Sequence, residues 1–307
     1  MAYQVQFLRE LKAHGFLEIV MRQDVKRNFT ISYHNIFEYP LTDEELSFWQ
    51  PGSVLEGKFV KTVQIEKKEG HFFVKGKERL IAIRKKREKL SNRKIKLAVK
   101  WARIISLVPT VRMVGLTGAL AMKNAQSDSD IDLIIICQKH LLWTTRLIVV
   151  LLLDLLGIPR NAQGRIEKDH LCLNMWLDES DLVWQKDDRN HYTAHEIAQI
   201  VTIIDKNRTF EKFLQKNSWV KDYWPKAVKV LKGRDKKVLQ AKSDNHSISQ
   251  YLYIVISSFF EPIAFKFQYL YMRRKITREL VIPTRAVFHP RDWGKIVNQN
   301  LGQELNT

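Results

Sequence analysis

The sequence predicts an α+β protein, with a small mixed sheet in the middle of the chain and mainly helical regions on both sides. Three observations lead to that class. Val111 to Leu116 and Ile131 to Cys137 are apolar runs of strand length separated by a glycine turn. His170 to Leu177 alternates as a further strand, after an apolar stretch long enough for a helix. Elsewhere the apolar residues recur mostly at helical spacing, apart from one hairpin-like pattern near residue 70. A length of 307 residues suits two or three domains. The expected divisions are 1–76 for an N-terminal region of helices and hairpin, 77–108 for a connector helix, 109–180 for the sheet core and 181–307 for a helical C-terminal region.

In chain order, the first 23 residues carry Phe7, Leu8, Leu11, Phe16 and Leu17 and read as an amphipathic opening. Val25, Phe29, Tyr33 and Ile36 give a helix that Pro40 ends. Thr42 with Glu45 forms a capping box for a second helix through Trp49, and Ser53 to Val60 predicts a third. Val63 to Ile65 and His71 to Val74 flank Glu66-Lys-Lys-Glu-Gly70 as a β-hairpin. Three helices and a hairpin over residues 24 to 76 resemble a winged-helix domain. That resemblance makes Gly52 to Lys61 the recognition-like helix and puts Lys67 and Lys68 at the wing tip.

Residues 77 to 108 predict one long basic helix with an apolar stripe of Leu80, Ile83, Leu90, Leu97 and Ile104. Its cations include Arg84-Lys-Lys-Arg87, Arg93, Lys94, Lys96, Lys100 and Arg103, which read as a track for a phosphate backbone. Leu141 to Leu156 is a nearly all-apolar helix expected to lie buried against the sheet, ended by Gly157-Ile-Pro159. On the His170–Leu177 strand, alternation puts His170, Cys172, Asn174 and Trp176 on one face. Beyond it, Tyr192 to Asp205 reads as a helix, Gly233 to Ser249 as a lysine-rich loop, and Ile248 to Arg274 as a long aromatic helix or a pair broken near Pro262.

Charge separates the function classes best. The net charge is +18, with +10 in residues 1–103, −3 in 104–204 and +11 in 205–307. Basic flanks around a mildly acidic centre favour a polyanionic partner, nucleic acid foremost. Cys137 and Cys172 both fall in strands and read as small buried hydrophobes, not as a disulfide or a zinc site. Leu147 to Leu153 and His246 to Phe260 are each too short for the roughly 20 apolar residues of a membrane span, so no membrane partner is expected. With no signal-peptide pattern, a cytoplasmic location is expected.

The candidate chemistry sits between Leu116 and Cys137. Thr117-Gly118-Ala119 closes a strand and opens a helix, so backbone amides face outward there. Asp130 and Asp132, at the start of the next strand, project together from one face with Ile134 and Ile136. Amides for a phosphate thus stand opposite carboxylates for a metal.

Gly118 followed by Asp130-Ile131-Asp132-Leu133 resembles the signature of the DNA polymerase beta-like nucleotidyltransferase superfamily. Ile36-Phe-Glu-Tyr-Pro-Leu-Thr42, Leu120-Ala-Met-Lys-Asn-Ala125 and Tyr192-Thr-Ala-His-Glu196 extend the likeness to uncharacterised bacterial-type proteins with such a domain. The resemblance implies Mg²⁺ on Asp130 and Asp132, and an NTP, ATP foremost, whose phosphates face the backbone of Thr117, Gly118 and Ala119. Ala119 stands where the family has Ser or Gly. Asn174 stands where it has a third carboxylate, with Asp169 and Asp178 at the strand ends. The implied activity is transfer of a nucleoside monophosphate to a hydroxyl, RNA being a candidate acceptor. Two other readings are a non-catalytic nucleic-acid-binding regulator with a degenerate nucleotide site, and AMP transfer onto a protein or small molecule.

Overall fold

The structure, a computed structural model, describes residues 23–53, 62–161, 168–234, 239–240, 248–274, 276, 279–288 and 292–302. The expected opening helix, the third helix beyond its first residue Ser53 and most of the loop from Gly233 to Ser249 lie outside these residues. Helix α1 spans residues 23–36, followed by β1 (Leu41–Thr42), α2 (Asp43–Phe48), β2 (Ile65–Lys68), β3 (His71–Val74) and α3 (Arg79–Ile105). Next come β4 (Val111–Leu116), α4 (Gly118–Ala121), β5 (Ile131–Cys137), α5 (Leu142–Leu155), β6 (Leu171–Asp178), α6 (His191–Ala198) and β7 (Val201–Asp205). The chain continues through α7 (Thr209–Lys216), α8 (Val220–Tyr223), α9 (Pro225–Arg234), β8 (Leu239–Gln240) and α10 (Ile248–Met272) to β9 (Leu280–Ile282), β10 (Arg285–Val287) and α11 (Trp293–Asn300). The class is α+β, in two compact units.

One unit comprises Met1–Arg84, Lys221–Val228 and Trp293–Thr307. The capping box forms as predicted: the Glu45 amide donates to the Thr42 hydroxyl at 3.3 Å, and the Thr42 amide donates to the Glu45 carboxylate at 3.0 Å. That carboxylate also takes both terminal nitrogens of buried Arg84, at 2.6 and 2.8 Å, so one acid both caps α2 and neutralises a buried cation. Strands β1, β3 and β2 pair antiparallel in that order. Glu69 and Gly70 turn the hairpin with φ of 48° and 74°, the left-handed pair that a two-residue type I′ loop needs. The first strand lies nearer the turn than expected, at Ile65–Lys68 instead of Val63–Ile65, so the loop is shorter. Lys67 pairs with Asp43 at 2.8 Å and Lys68 with Glu78 at 3.2 Å. Phe29, Tyr33, Trp49 and Trp224 pack ring on ring in the interior, with Tyr33 and Trp49 centred 5.3 and 5.7 Å from Trp224. Gly52 donates its amide to the Tyr223 carbonyl, and a Cβ there would lie 2.2 Å from the Asp222 oxygen.

The other unit comprises Lys85–Val220 and Lys229–Asp292. Its mixed sheet has the order β8-β7-β4-β5-β6-β10-β9, parallel only at β5/β6 and β7/β8. The crossover between β5 and β6 carries α5. One sheet face, with Ile131, Leu133, Ile135, Leu171 and Trp176, shares a core with Ala98, Ala102 and Ile105 of α3, Trp143 and Val149 of α5, and Ala264 of α10. Asp132, Ile134 and Ile136 belong to the opposite face, as the alternation predicts.

Several expectations are corrected. Trp176 does not share the face of Cys172 and Asn174. The register with β5 slips between Asp132↔Cys172 and Ile134↔Met175, and this irregularity turns Trp176 into the core. The apolar stripe predicted for α3 is half-buried after Leu80. The buried stripe within this unit is Arg87, Ser91, Lys94, Ala98, Ala102 and Ile105. Arg84, Arg87 and Lys94 therefore do not form part of an outward phosphate track. The helix predicted from Tyr192 to Asp205 ends at Ala198, because Val201-Thr-Ile-Ile204 is a β-branched run that pairs with β4. The C-terminal region also supplies β10 and β9, which extend the sheet beyond β6. Helix α10 is unbroken through Pro262, and most of it is exposed. Helix α5 exposes Leu151 and Leu155, so it is buried on one side only. Among the described residues, no helix is long and apolar enough to cross a membrane.

Candidate functional site

Strand β4 ends at Leu116, and the chain turns at once into α4. The Thr117 amide donates to the Asp132 carbonyl at 3.1 Å, fixing the turn to the start of β5. Gly118 has φ 60°, and a Cβ on it would lie 2.7 Å from the Asp132 Oδ2. Glycine is thus required twice, for the dihedral and for the carboxylate's approach.

The segment from Asn124 to Asp130 is tied to α3. Arg87 donates to the Asn124 side chain at 3.2 Å, and the Ala125 amide donates to the Ser91 hydroxyl at 3.1 Å. Lys94, fully buried, donates to the Ser129 carbonyl at 2.5 Å and pairs with Asp169 at 2.8 Å. The Ile131 amide donates to the His170 carbonyl at 2.8 Å. Lys94 therefore joins the loop before β5 to the loop before β6, and so sets Asp130 against Cys172.

At the mouth of these strands Asp130, Asp132 and Cys172 each offer a ligand atom, all within 4.8 Å of one another. Asp132 pairs in register with Cys172, whose thiol hydrogen-bonds to the carboxylates. The Asn174 amide nitrogen donates to Asp132 Oδ1 at 2.8 Å, and the Asn174 Oδ1 is buried with no hydrogen-bond partner. Glu196, from α6, accepts the Gly118 amide and a 2.5 Å hydrogen bond from Gln199. Burial and the neighbouring Asp130 charge raise the Asp132 pKa to about 7. Burial and the Asp132 charge raise that of Glu196 to about 8. Burial and the two aspartates push the Cys172 thiol far above its ordinary value, so it stays protonated.

Comparison with protein-family models, curated proteins and solved structures finds no match.

Two converging carboxylates suit a hard divalent cation such as Mg²⁺, which takes one or two carboxylates and keeps several waters. The unpartnered Asn174 oxygen adds a neutral oxygen donor beside them. A protonated thiol is a poor ligand for that ion, and Cys172 instead serves as a hydrogen-bond donor to the pair.

Asp130, Asp132, Gly118 and Asn174 are thus gathered in one place. Of the three backbone positions, Thr117 and Gly118 already donate to Asp132 and Glu196. Ala119 is exposed in α4, and its carbonyl accepts the Asn124 amide. Asp169 is held by Lys94 and Arg93, while Asp178 is fully buried and accepts from the His140 amide and Ser180, so neither joins the group. Sequence reasoning missed two members. Cys172, read as a buried hydrophobe, is half-buried with its thiol at the pair. Glu196 lay inside a noted phrase, and its signal was an acid on a helix whose neighbours Ala194, His195, Ile197 and Ala198 are all buried.

Proposed function

We propose that the chain is a Mg²⁺-dependent nucleotidyltransferase, moving a nucleoside monophosphate from an NTP, ATP foremost, to a hydroxyl acceptor such as RNA. The observation that carries this reading is the convergence of Asp130 and Asp132 beside the Gly118 turn. On this reading the finer architecture is a nucleotidyltransferase core, a winged-helix-like N-terminal domain and a helical C-terminal domain. Asp130 and Asp132 hold the ion, Asn174 orients Asp132, and its free oxygen faces the ion or the acceptor. When bound, the ion supplies charge neutralisation for the transferring phosphoryl group. Glu196, kept largely protonated near neutral pH, positions the Gly118 turn.

A second reading is favoured by one specific feature. The position that the resemblance assigns to a third carboxylate holds an amide, which cannot accept a proton from an attacking hydroxyl. The site then binds a nucleotide without turnover, in a nucleic-acid-binding regulator.

The test is incubation with α-labelled NTPs, Mg²⁺ and total RNA or lysate, beside an Asp130→Asn/Asp132→Asn double variant. Label on RNA with the wild type alone supports the proposal. Label on protein with RNA removed moves the acceptor to a polypeptide. No transfer, with salt-dependent nucleic-acid binding that survives the double substitution, favours the regulator.

A further inference from the structure

Helix α10 is attached by a stripe of hydrogen-bonding residues together with Ala264, Phe265 and Met272, which pack on the core. The Glu261 carboxylate accepts the amides of Trp143 and Thr144 at 2.7 and 2.8 Å, capping the first turn of α5. Gln268 donates to the Trp143 carbonyl at 2.8 Å and accepts from Arg146 at 2.5 Å, and the Thr144 hydroxyl donates to the Ser257 carbonyl at 3.3 Å. Ser257, Glu261, Ala264 and Gln268 recur every three or four residues, so they fix the helix's rotation. A helix seated by hydrogen bonds cannot roll its apolar side inward without leaving buried amides and a carboxylate unpaired.

The other side is apolar and open. Leu252, Phe259, Phe260, Ile263, Phe267 and Tyr271 are each more than half exposed. They run from Leu252 to Tyr271 of the helix, about 28 Å at 1.5 Å per residue. A contiguous stripe of that size marks an interaction surface. Its charges have one sign. Glu261 is turned to α5, and among the described residues the exposed charged ones on and just after the helix are Lys266, Arg273 and Arg274.

We propose that this face of α10 docks in the plane of an anionic lipid bilayer surface, with the aromatic and aliphatic side chains in the interfacial layer and the three cations against lipid phosphates. Charge selects this occupant. A second copy also carries net +18, and its own α10 face offers no acid to meet Lys266, Arg273 and Arg274. An anionic leaflet supplies negative charge to the cations and an apolar layer to the stripe at the same time. The sequence expectation of no membrane partner rested on span length, which does not bear on a helix lying flat.

The test is flotation of the full-length chain with vesicles of phosphatidylcholine alone and of phosphatidylcholine with phosphatidylglycerol. Two variants accompany it, Phe259→Ser/Ile263→Ser/Phe267→Ser and Lys266→Gln/Arg273→Gln/Arg274→Gln, each checked for wild-type melting. The wild type is expected to float with the anionic vesicles only. Removing the three cations should weaken binding about a hundred-fold, at about five-fold per charge, and removing the apolar residues should weaken it at least about ten-fold. Failure of the wild type to float overturns the proposal. So does binding undiminished in the apolar variant, or a stable dimer that the apolar substitutions dissociate while no vesicle binding is seen.

Discussion

Asp132 carries the sharpest residue-level consequence. Its carboxyl is held at about 7, against 3.8 for a free one, by burial and by Asp130. The native chain therefore binds more protons than the unfolded chain between those values, and loses stability as pH rises through that window. Asp132→Asn removes the penalty. In urea titrations without divalent ions it should add about 1–2 kcal/mol at pH 8, after discounting for partial exposure, and nothing near pH 4. His34 has the opposite dependence. Burial lowers its pKa from 6.5 to about 4, with its ring Nδ1 2.8 Å from the Thr30 carbonyl. The stability of its unit is intact above pH 6.5 and falls by about 2–3 kcal/mol towards pH 4, because the unfolded chain takes the proton first. His34→Gln should flatten that slope in fluorescence-monitored unfolding. Gly118→Ala forces a methyl against Asp132 Oδ2 at a left-handed φ. It should cost about 1–3 kcal/mol in thermal melts.

At the scale of elements, α3 organises the site from beneath. Lys94→Met should cost about 2–3 kcal/mol, because it takes from Asp169 its buried partner, leaving Arg93 and Lys168, and leaves the Ser129 carbonyl with only the Asp169 amide at 3.3 Å. Hydrogen exchange should rise in residues 124–131 and 168–170 while the β4 amides stay protected. This role was illegible in the sequence. A lysine in a basic run reads as solvent-facing, and only tertiary structure shows that the buried stripe holds Arg87, Ser91 and Lys94. Elements with strong local signals were legible: the Thr42/Glu45 capping box, the Gly70 hairpin, and the alternation that set Asp132 with Ile134 and Ile136. Those decided by long-range pairing were not. Val201–Asp205 continues an apparently helical pattern and becomes a strand because β4 offers it an edge. Trp176 changes face because a register slip, which no period reveals, interrupts β6.

For the whole molecule, the α+β class and the central position of the Asp-Ile-Asp strand followed from pattern alone. The partners of that strand did not, since Cys172 and Glu196 arrive from elements 40 and 64 residues beyond Asp132. Composition also concealed how its charge is used. Arg84, Lys94 and Arg285 answer internal acids, so fewer cations face a polyanion than the net +18 suggests. The central claim is that Asp130 and Asp132 form a divalent-cation site, and Mn²⁺ titration followed by electron paramagnetic resonance tests it most directly. At pH 8 the wild type should remove one equivalent of free Mn²⁺ signal, more weakly at pH 6, and the Asp130→Asn/Asp132→Asn variant should remove none. Equal titration curves for the two proteins, or no loss of signal with either, would contradict it.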